Sequence, residues 1–183
     1  MRIAILGWGS LIWRPENLAI ISEWFTNGPQ LPIEFARISA DGRLTLVIRE
    51  GTEEVQTLYS ISKYNNLDAA ILNLKDREGC GKNKIGYFIK TNGFYIKGFR
   101  HSNKISSWVE QVKDIDAVIW TNLSPNFKDK LDLDLNEANA VNYLKYLSQD
   151  IQAKAEEYIR KAPTQINTPI RRAIEQELHW NKM

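Results

Sequence analysis

Apolar residues recur along this chain with two periods. Residues 2–6 form a short β-favouring run that stops at Gly7, which predicts a buried strand. Pro15 suits a first helical turn, and Leu18, Ile21, Trp24 and Phe25 then recur at helical spacing up to Asn27-Gly28-Pro29. The runs 33–38 and 44–49 flank Ala40-Asp41-Gly42, and an Asp-Gly turn between two β-prone runs predicts a hairpin. Residues 55–61 read as a further strand. Leu67, Ala70, Ile71 and Leu74 predict a helix over 66–75, capped at its start by Asn65 or Asn66 and followed by Gly79 where a C-cap glycine belongs. Residues 84–90 and 94–99 read as strands joined by Thr91-Asn92-Gly93. A helix is expected over 104–112 and a strand over 117–121.

After Asn136 the pattern turns helical. Ala138, Val141, Leu144 and Leu147 make one stripe, and Ile151, Ala155, Tyr158 and Ile159 the next. Thr168-Pro169-Ile170 resembles an N-cap followed by proline, opening a short last helix. The strands before residue 121 are too closely spaced for regular βαβ alternation. The expected class is therefore α+β, with a mixed sheet or small barrel. There is no internal repeat and no linker-like tract. A barrel-like part over 1–125 and a helical extension over 126–183, packed on the same domain, are the expected organisation.

Composition removes several functions. The 183 residues hold 24 basic and 22 acidic groups, and neither part of the chain concentrates the basic ones, so a nucleic-acid footprint is not expected. A single cysteine, Cys80, leaves no internal disulfide and suits a reducing compartment. One cysteine and two histidines, His101 and His179, make no structural zinc site. No run approaches the roughly 20 apolar residues of a membrane span. The apolar run 3–13 is broken by Gly7 and Gly9 and followed by Arg14-Pro15-Glu16, so it reads as mature structure rather than a signal peptide, and the cytoplasm is the expected location.

Two local features carry chemistry. Gly7-Trp8-Gly9-Ser10-Leu11 follows the first strand. Such a loop, if its N–H groups turn outward, holds an anion or a developing oxyanion without a charged side chain. Its bland reading is a turn in which the glycines let the backbone pass. The second feature is Arg77-Glu78-Gly79. Glu78 stands where a helix ends, an end at which the dipole disfavours an acid. A desolvated carboxyl there has a raised pKa and serves as a general base near neutral pH. Arg49-Glu50-Gly51, before Glu53 and Glu54, reads as solvent-facing. Cys80 reads as incidental, Arg171-Arg172 as a solvated helix face, and most of the six tryptophans as core. Trp8, inside the glycine loop, is the exception.

Together these residues resemble the γ-glutamylcyclotransferase-like superfamily, whose members open with a strand and a Tyr-Gly-Ser-Leu or Tyr-Gly-Ser-Asn loop. The match here is Gly7-Trp8-Gly9-Ser10-Leu11, and Ile12-Trp13-Arg14-Pro15 is similar to the ChaC branch. Leu58-Tyr59, the helix from Leu67, Leu74-Lys75-Asp76-Arg77-Glu78-Gly79 and Gly86-Tyr87 follow in the family's order. Trp8 stands where the family has tyrosine. The resemblance covers about residues 2–121 and implies a small mixed β-barrel flanked by helices. It also implies a cofactor-free reaction: the α-amine of a γ-glutamyl compound attacks its own side-chain carbonyl, giving 5-oxoproline and a free amine or amino acid. Glu78 would be the catalytic acid/base, and Gly7, Trp8, Gly9, Ser10, Leu11 and Tyr87 would contact this small-molecule substrate. Family members act on glutathione or on γ-glutamylamines. Neither a metal nor a membrane enters, and residues 126–183 would pack on the barrel or form a homodimer contact.

Two other readings compete. One is a non-catalytic small-molecule binding or regulatory module on the same fold. The other is a dinucleotide-dependent enzyme, suggested by Gly7-x-Gly9 but opposed by Ile12, which occupies the third glycine position of that fingerprint.

Overall fold

Residues 1–92, 94–95 and 102–183 are described in the computed structural model of the chain. They divide into two compact units. The first contains Met1–Gly7, Arg14–Leu31 and Gln56–Leu123, and the second contains Trp8–Trp13, Pro32–Val55 and Ser124–Met183. The α+β class holds: strands and helices both contribute to the fold, and the sheet is mixed.

The first unit is built on β1 (Ile3–Gly7). It pairs antiparallel with β6 (Leu58–Ile61) and parallel with β9 (Ala117–Thr121). Beyond β9 come β7 (Ile85–Ile89) and β8 (Phe94–Tyr95), both antiparallel to their neighbours. Every residue of β1 is buried, as expected of an apolar strand paired on both edges. Helix α1 (Leu67–Glu78) packs against β9 and buries Ala70, Ile71 and Leu74. Asn66 caps it, its side chain accepting from the Ala69 N–H at 3.0 Å. Helix α2 (Ser102–Gln111) packs against β7. Only Phe94 and Tyr95 of the strand expected at 94–99 are among the described residues; the remainder, Gly93 and His101 lie outside them.

Two expectations fail in this unit. The helix predicted from Leu18, Ile21, Trp24 and Phe25 does not form. Its backbone instead pairs with the outer edge of β6. Phe25 N–H donates to Tyr59 O at 2.8 Å and Tyr59 N–H returns the bond at 3.0 Å, while Ile21 N–H reaches Ile61 O at 2.9 Å. Leu18 is buried, but Ile21 is 65% exposed and Phe25 41%, so helical spacing of apolar residues misled. Tertiary pairing outweighs a weak local preference. The second failure follows from the first. A barrel closes by pairing its edge strands with one another. Here the edge of β6 is occupied by residues 19–25, and no sheet among the described residues closes. The other strands form small separate sheets: β2 (Gln30–Leu31) with β5 (Val55–Gln56), and β3 (Ile33–Ile38) with β4 (Leu44–Ile48). The strand expected over 55–61 is divided at Thr57, whose N–H and hydroxyl both turn to Pro29 O.

The second unit sets the β3–β4 hairpin among helices. Gly42, at φ +85°, turns the hairpin, and a bulge falls between Phe35 and Arg37. Helix α3 (Phe127–Leu131) and α6 (Pro169–Leu178) pack on β3, α5 (Gln149–Lys161) packs on β4, and α4 (Glu137–Lys145) packs on α6. Thr168 caps α6 and Pro169 opens it, as the sequence suggested. The expected solvation of Arg171 is wrong: its side chain is fully buried. It donates to the carbonyl oxygens of Ile159, Ala162, Pro163 and Ile166 at 2.7–3.1 Å, gathering the orphan carbonyls at and beyond the end of α5. Exposed Arg172 pairs with Glu53 at 3.0 Å.

Arg171→Met therefore lowers the unfolding free energy in urea by about 3 kcal/mol or more, because several buried carbonyls lose their donor. Arg172→Met costs less than about 1 kcal/mol. Equal losses would contradict the role given to Arg171.

Candidate functional site

Helix α1 ends in a left-handed turn that fixes the position of Glu78. Gly79 has φ +59°, its N–H bonds Asp76 O at 3.3 Å, and Cys80 N–H bonds Lys75 O at 3.2 Å. This is the Schellman pairing, in which the chain reverses and two orphan carbonyls are satisfied. Glu78 is the last helical residue before it. Its side chain is 17% exposed.

Burial pushes the Glu78 carboxyl above the ordinary glutamate range. The Arg77 charge and the Thr121 hydroxyl pull it partly back, while Glu16 adds to the rise. Arg77 is held in place by its own contacts. Its Nε and Nη2 donate to Arg14 O at 3.1 and 2.7 Å, and its Nη1 lies 3.3 Å from Glu78 Oε1. Thr121 Oγ1 is buried, close enough to Glu78 to favour the charged carboxylate yet short of full hydrogen-bond geometry with any partner. Burial and the Glu78 charge push the Cys80 thiol up. A thiol so placed is a poor nucleophile, in keeping with its incidental reading.

Strand register shows which residues share Glu78's side of the sheet. Ile5 pairs with Ile119, Tyr87 with Ile119, Ile85 with Thr121, and Gly7 with Leu58. Because side chains alternate, Gly7, Tyr87 and Thr121 belong to one face, the face Glu78 meets at Thr121. Gly7 and Thr121 end the parallel strands β1 and β9. A Cβ on Gly7 would stand 2.5 Å from the Trp24 ring, so glycine is needed there for close approach. Of the sequence-predicted residues, Gly7 and Tyr87 thus lie on the sheet face whose end Glu78 meets at Thr121.

Trp8, Gly9, Ser10 and Leu11 fall in the second unit. Trp8 and Leu11 are buried, each 6% exposed, and Ser10 is half-buried. Ile12 N–H closes a turn onto Gly9 O at 3.1 Å. No helix follows this turn, contrary to expectation. A Cβ on Gly9 would stand 2.5 Å from the Tyr158 hydroxyl, which itself accepts from Leu46 N–H at 3.3 Å. Neither Gly7 nor Gly9 has a positive φ. Both are explained by an aromatic side chain against the backbone.

Sequence reasoning missed Thr121 and Trp24, and named Arg77 only as part of Arg77-Glu78-Gly79, without its role beside Glu78. For Thr121 a signal existed: it is the polar residue that ends the apolar run 117–120. Among the described residues, no group of three or more His, Cys, Asp or Glu side chains could hold a metal ion, and no helix is long and apolar enough to cross a membrane. Compared with family models, curated proteins and solved structures, the chain matches none.

The packing on Gly9 has a measurable consequence. Gly9→Ala costs about 1–3 kcal/mol in urea unfolding, the usual range for an overpacked core. In a Tyr158→Phe background, which removes the obstructing hydroxyl, the added cost of Gly9→Ala falls below about 1 kcal/mol. The same cost in both backgrounds would contradict the assigned contact.

Proposed function

We propose that the chain is a γ-glutamylcyclotransferase-like enzyme in which Glu78 is the general acid/base. The observation that carries the proposal is a half-buried carboxyl at the end of α1 with a raised pKa, beside Thr121 on the sheet face that also carries Gly7 and Tyr87. The family's residue order, from the glycine loop through Glu78 to Tyr87, supports it.

Glu78, in the first unit, handles the protons of the chemical step. A γ-glutamyl compound carries an α-ammonium group, which attacks only after losing a proton. Glu78 takes that proton. The α-nitrogen then forms a bond to the side-chain carbonyl carbon, and the carbonyl oxygen becomes an oxyanion. Collapse breaks the bond to the leaving nitrogen, which receives the proton from Glu78, while the second proton of the ring nitrogen passes to the freed Glu78 carboxylate and on to the departing amine, which leaves as an ammonium. The products are 5-oxoproline and an amine or amino acid. Because the nucleophile belongs to the substrate, orientation supplies much of the rate and no cofactor is consumed.

Two results test this. In an assay of 5-oxoproline release from a panel of γ-glutamyl amino acids and amines, Glu78→Gln lowers kcat/KM by about 10²- to 10⁴-fold. Undiminished activity in that variant removes Glu78 from the mechanism. A wild-type chain inactive on the whole panel favours the non-catalytic binding module. The pH profile supplies the second result. A base must be ionised, so kcat/KM falls as pH drops through the raised Glu78 pKa, placing the acidic limb above the ordinary glutamate range.

Stability moves in the opposite direction. With a folded-state pKa above the unfolded one, the Glu78 contribution is fully present below the unfolded pKa and is lost as pH rises through the folded pKa. Glu78→Gln therefore leaves Tm at neutral pH unchanged or higher. A clear loss of Tm would mark Glu78 as a structural residue.

A further inference from the structure

The second unit contains a crevice of about 170 Å³ that the proposed reaction does not use. Ala36 and Phe127 lie beneath it, shielded from solvent, so its reachable apolar lining is Pro125 and the half-buried Leu135, with Arg49 beside them. Lys128, Asp129 and Asp134 bring charge to the rim. The volume lies below the roughly 300–1,000 Å³ typical of drug-sized sites, so the crevice suits a small ligand.

The pairing of these charges is uneven. Lys128 and Asp134 neutralise each other at 2.7 Å. Arg49 and Asp129 do not. The half-buried Arg49 guanidinium makes one long hydrogen bond, from Nη2 to Leu135 O at 3.4 Å, and has no carboxylate within ion-pair distance among the described residues. Its charge is felt by the buried Glu34 carboxyl, but at a distance that forms no ion pair. Its other N–H donors have no hydrogen-bond partner among the described residues, and a guanidinium favours a carboxylate that can accept two parallel bonds. Asp129 makes no ion pair among the described residues either, and it borders the same crevice. A cation and an anion that line one crevice without pairing, beside Pro125 and Leu135, complement a small zwitterion.

We propose that this crevice binds a free α-amino acid of small or middle size, with the carboxylate on Arg49, the ammonium on Asp129 and the side chain against Pro125 and Leu135. The inference does not rest on the γ-glutamyl reading. It is tested by isothermal titration of the full chain with L-alanine and L-valine, which carry no γ-glutamyl group, and with N-acetylvaline and valinamide, which lack one charge each. Valine or alanine binds the wild type and Glu78→Gln alike, and each derivative binds about tenfold or more weakly, the usual effect of losing a charge-assisted hydrogen bond. Arg49→Met abolishes binding. Asp129→Asn, at an exposed position with no structural partner, weakens it several-fold and keeps the test valid should Arg49→Met fold poorly. The proposal is overturned if neither amino acid binds, if N-acetylvaline or valinamide binds as well as valine, if Asp129→Asn binds unchanged, or if Glu78→Gln loses binding.

Discussion

Strand β1 is hydrogen-bonded along both edges and exposes none of its five residues. The first unit is arranged around that constraint. An apolar strand with both edges paired needs cover on both faces, and α1 supplies part of it by packing over β9 with Ala70, Ile71 and Leu74. Once those three residues are buried, the pitch of the helix and the Gly79 turn decide where Glu78 lies. It is carried to the carboxyl ends of β1 and β9, next to Thr121.

That position is unfavourable for a carboxylate in two respects. Burial removes water from the charge, and the C-terminal end of a helix is its negative pole. Arg77 offsets part of the cost, being itself fixed by the Arg14 carbonyl. The result is an acid more ready to hold a proton than an exposed glutamate, which is the property a general base needs near neutral pH. Buried Glu34 makes a useful contrast. Burial raises its pKa too, but its carboxylate is tied to the Phe35 and Ile170 N–H groups at 2.8 and 3.4 Å, in a role that fixes α6 to β3. A raised pKa acquires chemical meaning only from what the carboxyl faces. Glu78 lies beside Thr121 at the end of β9, whereas Glu34 is tied to the start of α6.

What the chain revealed before its structure depended on how local the governing chemistry is. Asn66, Gly79, Thr168 and Pro169 act within a few residues of themselves, so helix ends were legible, and Glu78 with them. Asp41-Gly42 marked its hairpin for the same reason. The segment 15–25 was misread because its hydrogen-bond partners are Tyr59 and Ile61, which no local period encodes, and the barrel expectation failed with it. Arg171 was misread because the carbonyls it gathers are assembled only when α5 ends and the chain turns back. Gly7 and Gly9 were recognised as special, but the reason is tertiary: Trp24 and Tyr158 occupy the space their side chains would need.

The central claim is that the environment of Glu78 holds its proton more tightly than water does. The most direct measurement is a carbon-13 NMR titration of the glutamate carboxyl carbons, with the Glu78 signal assigned by its disappearance in Glu78→Gln. The expected result is a Glu78 midpoint above the ordinary glutamate range. A midpoint within that range, or lower because the Arg77 charge outweighs burial, contradicts the account.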